Sequence, residues 1–237
     1  MKSFKHSDCR TSSRWIVRIS GALLLLVAFV ISGCLSRPPL NRQTFAFGAP
    51  ALSVTNNVAN GRVLEIRTLQ IAPPFDGRLL IYRTGEFSYQ RDPYAGFLGL
   101  PAEELVAPVS EMLCADGGFS EVVQPGDAVK PDRFVEITIN QFYGDIRKLH
   151  DPCAVLAMQL TFLDATNGLP GRIILQRHYS RRTPVRSTTP AAVMEGWNRA
   201  LAGILAEASS DFRNREMEGK SYEPGGGGLT QEAPETP

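Results

Sequence analysis

Apolar and polar residues alternate most strictly between Arg133 and Phe142, with Phe134, Glu136, Thr138 and Asn140 on one face and Val135, Ile137 and Ile139 on the other. A period of two predicts a strand with one face on a core and a wetter one opposite. The rhythm returns in residues 153–163, where Val155, Ala157, Gln159 and Thr161 alternate against Leu156, Met158, Leu160 and Phe162, and again in 172–180. Asn167-Gly168 supplies a turn between them, so the three runs predict a meander. Upstream, residues 62–71 predict a strand stopped by Pro73-Pro74, and 78–83 with 86–90 predict a hairpin. Residues 44–47 and 119–123 predict short strands.

A second rhythm is helical. From Pro190 the apolar residues Val193, Trp197, Ala200, Leu201, Ile204, Leu205, Ala208 and Phe212 form one stripe, with Thr189 as N-cap and Pro190 at N1. Such a stripe predicts packing against the sheet. Pro101 with Glu103 and Glu104 predicts an earlier helix carrying Leu105, Val109, Met112 and Leu113 to Gly117-Gly118. Pro108 falls inside it, so either the helix kinks there or Pro108 begins it after a short turn. Together these elements predict an α/β fold: a mixed β-sheet packed with two main helices, an α/β sandwich ending in a long amphipathic C-terminal helix.

The third pattern is an apolar run over residues 19–31, preceded by Lys2, Lys5, Arg10, Arg14 and Arg18. As a helix it would reach about 20 Å, short of the roughly 30 Å hydrocarbon core, so it reads as a secretory signal rather than a span. It closes on Ile31-Ser32-Gly33-Cys34, which resembles the lipobox of bacterial lipoproteins. That resemblance implies cleavage before Cys34, a thioether-linked diacylglycerol on its sulfur and an acyl chain on its new amine, the chain's only expected prosthetic groups. Leu35, rather than an inner-membrane-retaining Asp, implies the outer membrane, with the domain facing the periplasm. The expected organisation is a signal peptide (1–33), lipidated Cys34 with a tether (34–60), a folded domain (61–216) and a disordered tail (217–237) rich in Gly, Pro and Glu.

Charge changes the picture little. Removing residues 1–33 takes five basic residues and one acidic, leaving 20 basic and 23 acidic, a net charge of −3. Nothing in that balance favours nucleic acid. Of four cysteines, Cys9 leaves with the signal and Cys34 carries lipid. Cys114 and Cys153 could pair in an oxidising compartment or sit as small buried hydrophobes. The sequence offers no metal-ligand spacing, no nucleophile elbow and no phosphate-cradling loop, so the expectation is a binding protein without enzymatic activity, metal or cofactor. Arg177, Arg181, Arg182 and Arg186 form a basic cluster, read either as a solvated strand end or as a site for headgroups or an acidic partner. Tyr82, Phe87, Tyr89, Tyr94 and Phe97 crowd sixteen residues, divided between core and a protein-binding surface.

The block Leu79-Leu80-Ile81-Tyr82-Arg83, followed by Tyr89, Tyr94, Pro101-Ala102-Glu103, Met112-Leu113 and Gly118-Phe119-Ser120-Glu121-Val122, resembles the ABC-type transport auxiliary lipoprotein family, which includes the paraquat-inducible protein C type. The similarity spans residues 63–212. It implies a partner role beside an ABC permease, its ATPase and a mammalian-cell-entry-domain protein, moving lipids or other hydrophobic molecules between the two membranes. Tyr82, Arg83, Tyr89 and Tyr94 are the candidate partner-binding residues, and self-association is left open. An outer-membrane assembly or cell-wall-synthase-activating lipoprotein would share the anchor and the fold; a periplasmic hydrolase is the enzymatic alternative.

Overall fold

The computed structural model describes residues 42–48, 61–117, 119–166 and 169–221. The signal, Cys34 and the Asn167-Gly168 turn lie outside these residues, as do most of the tether and of the tail. Eight strands form one mixed sheet: β1 (Gln43–Phe45), β2 (Val63–Ile71), β3 (Leu79–Arg83), β4 (Tyr89–Phe97), β5 (Glu121–Val123), β6 (Arg133–Asp145), β7 (Cys153–Thr166) and β8 (Leu169–Pro184). The predicted meander is its backbone, with β6, β7 and β8 antiparallel in sequence. On its other edge β6 pairs first with β2 and then, from Gly144, with β3, both parallel. β2 carries β5 outward, and β3 carries β4 and then β1.

Between β2 and β3 the chain leaves the ladder as expected at Pro73-Pro74, whose peptide bond is cis. Phe75 caps that detour, buried against Tyr143 and Tyr89 at ring centroid distances of 5.8 and 5.9 Å.

The face carrying Val135, Ile137 and Ile139 receives the helices. Register places Phe162, Leu160 and Met158 of β7 beside these residues. Across them lies α3 (Pro190–Ser221), whose predicted stripe is buried from Val193 to Phe212. Trp197 packs on Phe142 at 4.5 Å, and its indole N–H donates to the Val155 carbonyl at 3.2 Å. Farther along, Phe212 meets Phe162 and Phe119 at 4.7 and 5.3 Å. Each large side chain so buried contributes about 1.5–3 kcal/mol relative to exposure. α3 continues past Glu216 to Ser221, so the start of the expected tail is helical.

The earlier helix breaks at Leu105, between α1 (Pro101–Glu104) and α2 (Val106–Gly117). Pro108 therefore falls in the first turn of α2, where its missing N–H costs no helical bond. The domain also starts earlier than expected. β1 pairs with Ala95, Gly96 and Phe97, and Phe47 stacks on Phe97 and Phe142, so this part of the expected tether belongs to the fold.

The opposite face is fixed at one end by charge. Asp145, 3% exposed, accepts two bonds from the Arg147 guanidinium (2.9 and 2.7 Å), one from the Arg147 backbone N–H (3.3 Å) and one from Arg182 (3.0 Å), tying the end of β6 to β8 across β7. The Arg147 guanidinium, with Arg182 behind it, holds the carboxyl well below the usual carboxylate range against the opposing effect of burial.

Two outcomes follow from this packing. A Cβ at Gly196 would stand 2.6 Å from Val185 Cγ1 and 2.7 Å from the Ala154 Cβ, because α3 lies directly on β7 there. Gly196→Ala should therefore destabilise by about 1–2 kcal/mol in urea unfolding, the overlap outweighing the roughly 1 kcal/mol that alanine gains over glycine in a helix. Asp145→Asn should cost about 1–3 kcal/mol at pH 7, less than a fully buried pair because both arginines are partly solvated. A depressed carboxylate stabilises above its unfolded value near 4 and loses that contribution as pH falls towards the folded value. The gap between wild type and Asp145→Asn should accordingly narrow from pH 5 to pH 2 in the same assay.

Candidate functional site

The tyrosine-arginine block lies on β3 and β4, and β4 is irregular. Leu79 pairs with Gly96, but Ile81 pairs with Arg91, so four residues of β4 stand opposite Leu80 alone. The excess forms a bulge at Asp92, Pro93, Tyr94 and Ala95, pinned where Asp92 Oδ1 accepts the Tyr94 N–H at 2.8 Å. The strand rejoins β3 at Gly96, which must be glycine: a Cβ there would lie 2.5 Å from the Arg78 carbonyl oxygen. Tyr94 is thereby turned out to solvent, 58% exposed.

Its neighbours in the block divide. Tyr82 is a core residue whose ring lies over Gly144, close to where a Cβ would project. Its phenol oxygen is buried without a hydrogen-bond partner, and burial together with the nearby Asp92 charge pushes the phenol up, so it remains a donor. Arg83 is half-buried and engaged, its guanidinium 5.9 Å from the Tyr89 ring centroid and donating to the carbonyls of Gly85 and Glu86. Tyr89 packs edge-on against Tyr143 and is 45% exposed. Within the candidate set Tyr89 and Tyr94 are exposed, Arg83 is half-buried and Tyr82 is buried, its phenol lining a pocket beside the bulge. Of the other aromatics, Phe87 is exposed at the hairpin tip and Phe97 is buried near Trp197.

Beside the bulge a pocket of about 350 Å³ is lined by Tyr82, Gln90, Arg91, Asp92, Pro93 and Tyr94, with Ile146 and Thr188 across from them. It joins β4 to the segment leading into α3, a convergence of residues far apart in sequence. Two tyrosine rings, the Arg91 guanidinium, the Asp92 carboxylate and a few neutral polar groups therefore face one space.

The remaining sequence candidates resolve plainly. Arg177 pairs with Asp211 at 2.7 Å, Arg181 with Glu207 at 2.9 Å and Arg182 with Asp145, so three members of the basic cluster are engaged within the domain. That favours the strand-end reading over a headgroup site, because α3 supplies carboxylates that a reading of β8 alone does not contain. Cys114 and Cys153 are free, and the pairing is not formed. α2 lies on the helical face, whereas Cys153 shares the opposite face with Asp145. Burial pushes both thiols up, leaving them poor nucleophiles. Among the described residues no three His, Cys, Asp or Glu side chains gather where a metal could be held. The Asp145 clamp and the pocket went unnoticed in the sequence; the bulge had one local sign, Asp92-Pro93.

The fold has solved counterparts. A protein of the DUF330 family from Xanthomonas campestris is 17% identical, with a TM-score of 0.59 over 76% of this chain and 97% of its own. A second, uncharacterised structure is 14% identical, with a TM-score of 0.50 over 66% and 92%. These likenesses establish the fold alone. No curated protein matches the chain in sequence. A family model does match, across 45–208, from the strand that begins the sheet to deep within α3. That stretch takes in β3, the β4 bulge, the bent helix and the meander, and the chain belongs to the family described as the ABC-type transport auxiliary lipoprotein component.

Proposed function

We propose that this protein is the lipid-anchored, periplasm-facing binding component of an ABC transport system of the mammalian-cell-entry type, docking its conduit at the outer membrane while lipids or other hydrophobic molecules pass between membranes. The reading rests on one conjunction. An auxiliary-lipoprotein domain over 45–208 follows directly on the lipobox Ile31-Ser32-Gly33-Cys34. The apolar run over 19–31 is too short as a helix for the hydrocarbon core, which supports attachment through acyl chains on Cys34. Two or more acyl chains hold a protein stably where one is marginal, at about 0.8 kcal/mol per buried CH₂.

In this role the domain works by binding, without a catalytic step, metal or cofactor. An exposed aromatic pair beside a pocket suits recognition of a protein partner, the permease's substrate-binding subunit with its mammalian-cell-entry domain being the expected one.

Membrane fractionation tests the anchor. Cys34→Ser should release a folded domain from the outer membrane into the soluble fraction, and a variant that still fractionates there without its partners overturns the reading. Affinity purification of the lipidated protein should recover the mammalian-cell-entry-domain protein. Recovery of a penicillin-binding protein in its place would assign the chain to cell-wall synthesis.

A further inference from the structure

We propose that the first half of β4 is a docking edge for an extended, acidic segment of a partner protein, which adds to the sheet as a strand and seats an apolar side chain in the pocket between Tyr82 and Tyr94. Three observations carry it. The first is backbone geometry. β1 covers only Ala95, Gly96 and Phe97, so among the described residues Tyr89, Gln90 and Arg91 have β3 on one side and no strand on the other. The Thr84 N–H donates to the Ser88 carbonyl and the Ile146 N–H to the Arg83 carbonyl, which sets the phase of the ladder. Gln90 therefore turns its backbone inward to Tyr82, and Tyr89 and Arg91 direct theirs outward. Pro93 and the bulge close the edge beyond Asp92, leaving a short stretch of free donors and acceptors.

The second observation is the pocket, which begins where that stretch ends and shares Gln90 and Arg91 with it. The Tyr82 phenol in its wall is a buried donor without an acceptor. Asp92 beside it disfavours a second carboxylate there, so the matching group is a neutral carbonyl, as a peptide backbone provides.

Charge is the third. Arg42, Arg78, Arg83 and Arg91 surround β4, and each donates only to backbone carbonyls, of Pro93, of Leu98 and Gly99, of Gly85 and Glu86, and of Pro74 respectively. None of the four forms an ion pair among the described residues, unlike Arg177, Arg181 and Arg182 on the opposite edge. An acidic segment therefore fits β4, whereas three of the four arginines on β8 are already paired within the domain.

The inference goes beyond the transport reading, since it concerns the chemistry of the segment bound and not the pathway it belongs to. The full lipidated protein in detergent micelles would be titrated with a fluorescent nine-residue peptide alternating leucine and glutamate, and with its lysine counterpart, by anisotropy. The glutamate peptide should bind saturably and at least about tenfold more tightly. Arg91→Glu should reverse the preference, Arg91→Pro, which deletes an outward N–H, should abolish binding of both peptides, and Tyr82→Phe, which keeps the packing, should weaken the glutamate peptide severalfold. Circular dichroism would verify that each variant is folded. Equal binding of the two peptides, no binding of either, or folded Arg91 variants that bind as wild type does would overturn the proposal.

Discussion

The contact on which the domain depends is the seat of α3 on β6 and β7 around Trp197. The indole rests against Phe142 and Phe97 and donates its N–H to a carbonyl of β7, so one side chain fixes both the height and the rotation of a 32-residue helix. Gly196 beside it lets the helix backbone approach Ala154 and Val185 within the radius of a methyl group. Once that point is set, the 3.6-residue stripe carries the remaining apolar residues of α3 to Phe212, where they meet Phe119 and Phe162. Without this face a sheet of this width would expose Val135, Ile137 and Ile139 to water.

Committing one face to helices leaves the other to be held by different means. Its resources are the Phe75, Tyr89 and Tyr143 aromatic group at one position and the Asp145 clamp at another. Both link strands that are not adjacent in the ladder. The same division treats the sheet's two edges differently. β8 is long and exposed, and three of its four arginines, Arg177, Arg181 and Arg182, are tied to acidic residues of α3 or to Asp145. β4 is interrupted by a bulge, and the arginines around it form no ion pair among the described residues. Ion pairing thus closes one edge, and a bulge interrupts the other.

Much of this was readable from the order of residues. The alternation in 133–142 and 153–163, the stripe from Val193 to Phe212 and the stop at Pro73-Pro74 are local signals, because strand and helix periodicity is written within a few residues of itself. The lipobox-like Ile31-Ser32-Gly33-Cys34 is likewise a contiguous motif.

What escaped that reading depends on partners distant in sequence. Whether Tyr82 is core or surface turns on Gly144 and Val193, and whether Arg177 is free turns on Asp211, none of which can be inferred from the flanking residues. Cys114 and Cys153 looked pairable by compartment, yet their separation by the thickness of the sheet is a property of topology. The sequence by itself determined the elements, the buried stripe and the lipid-attachment motif, since each is set by local chemistry. Only the tertiary structure decided which arginines are neutralised and which strand edge stays open, because charge compensation and edge exposure exist only after the chain has brought β3, β4, β8 and α3 into register.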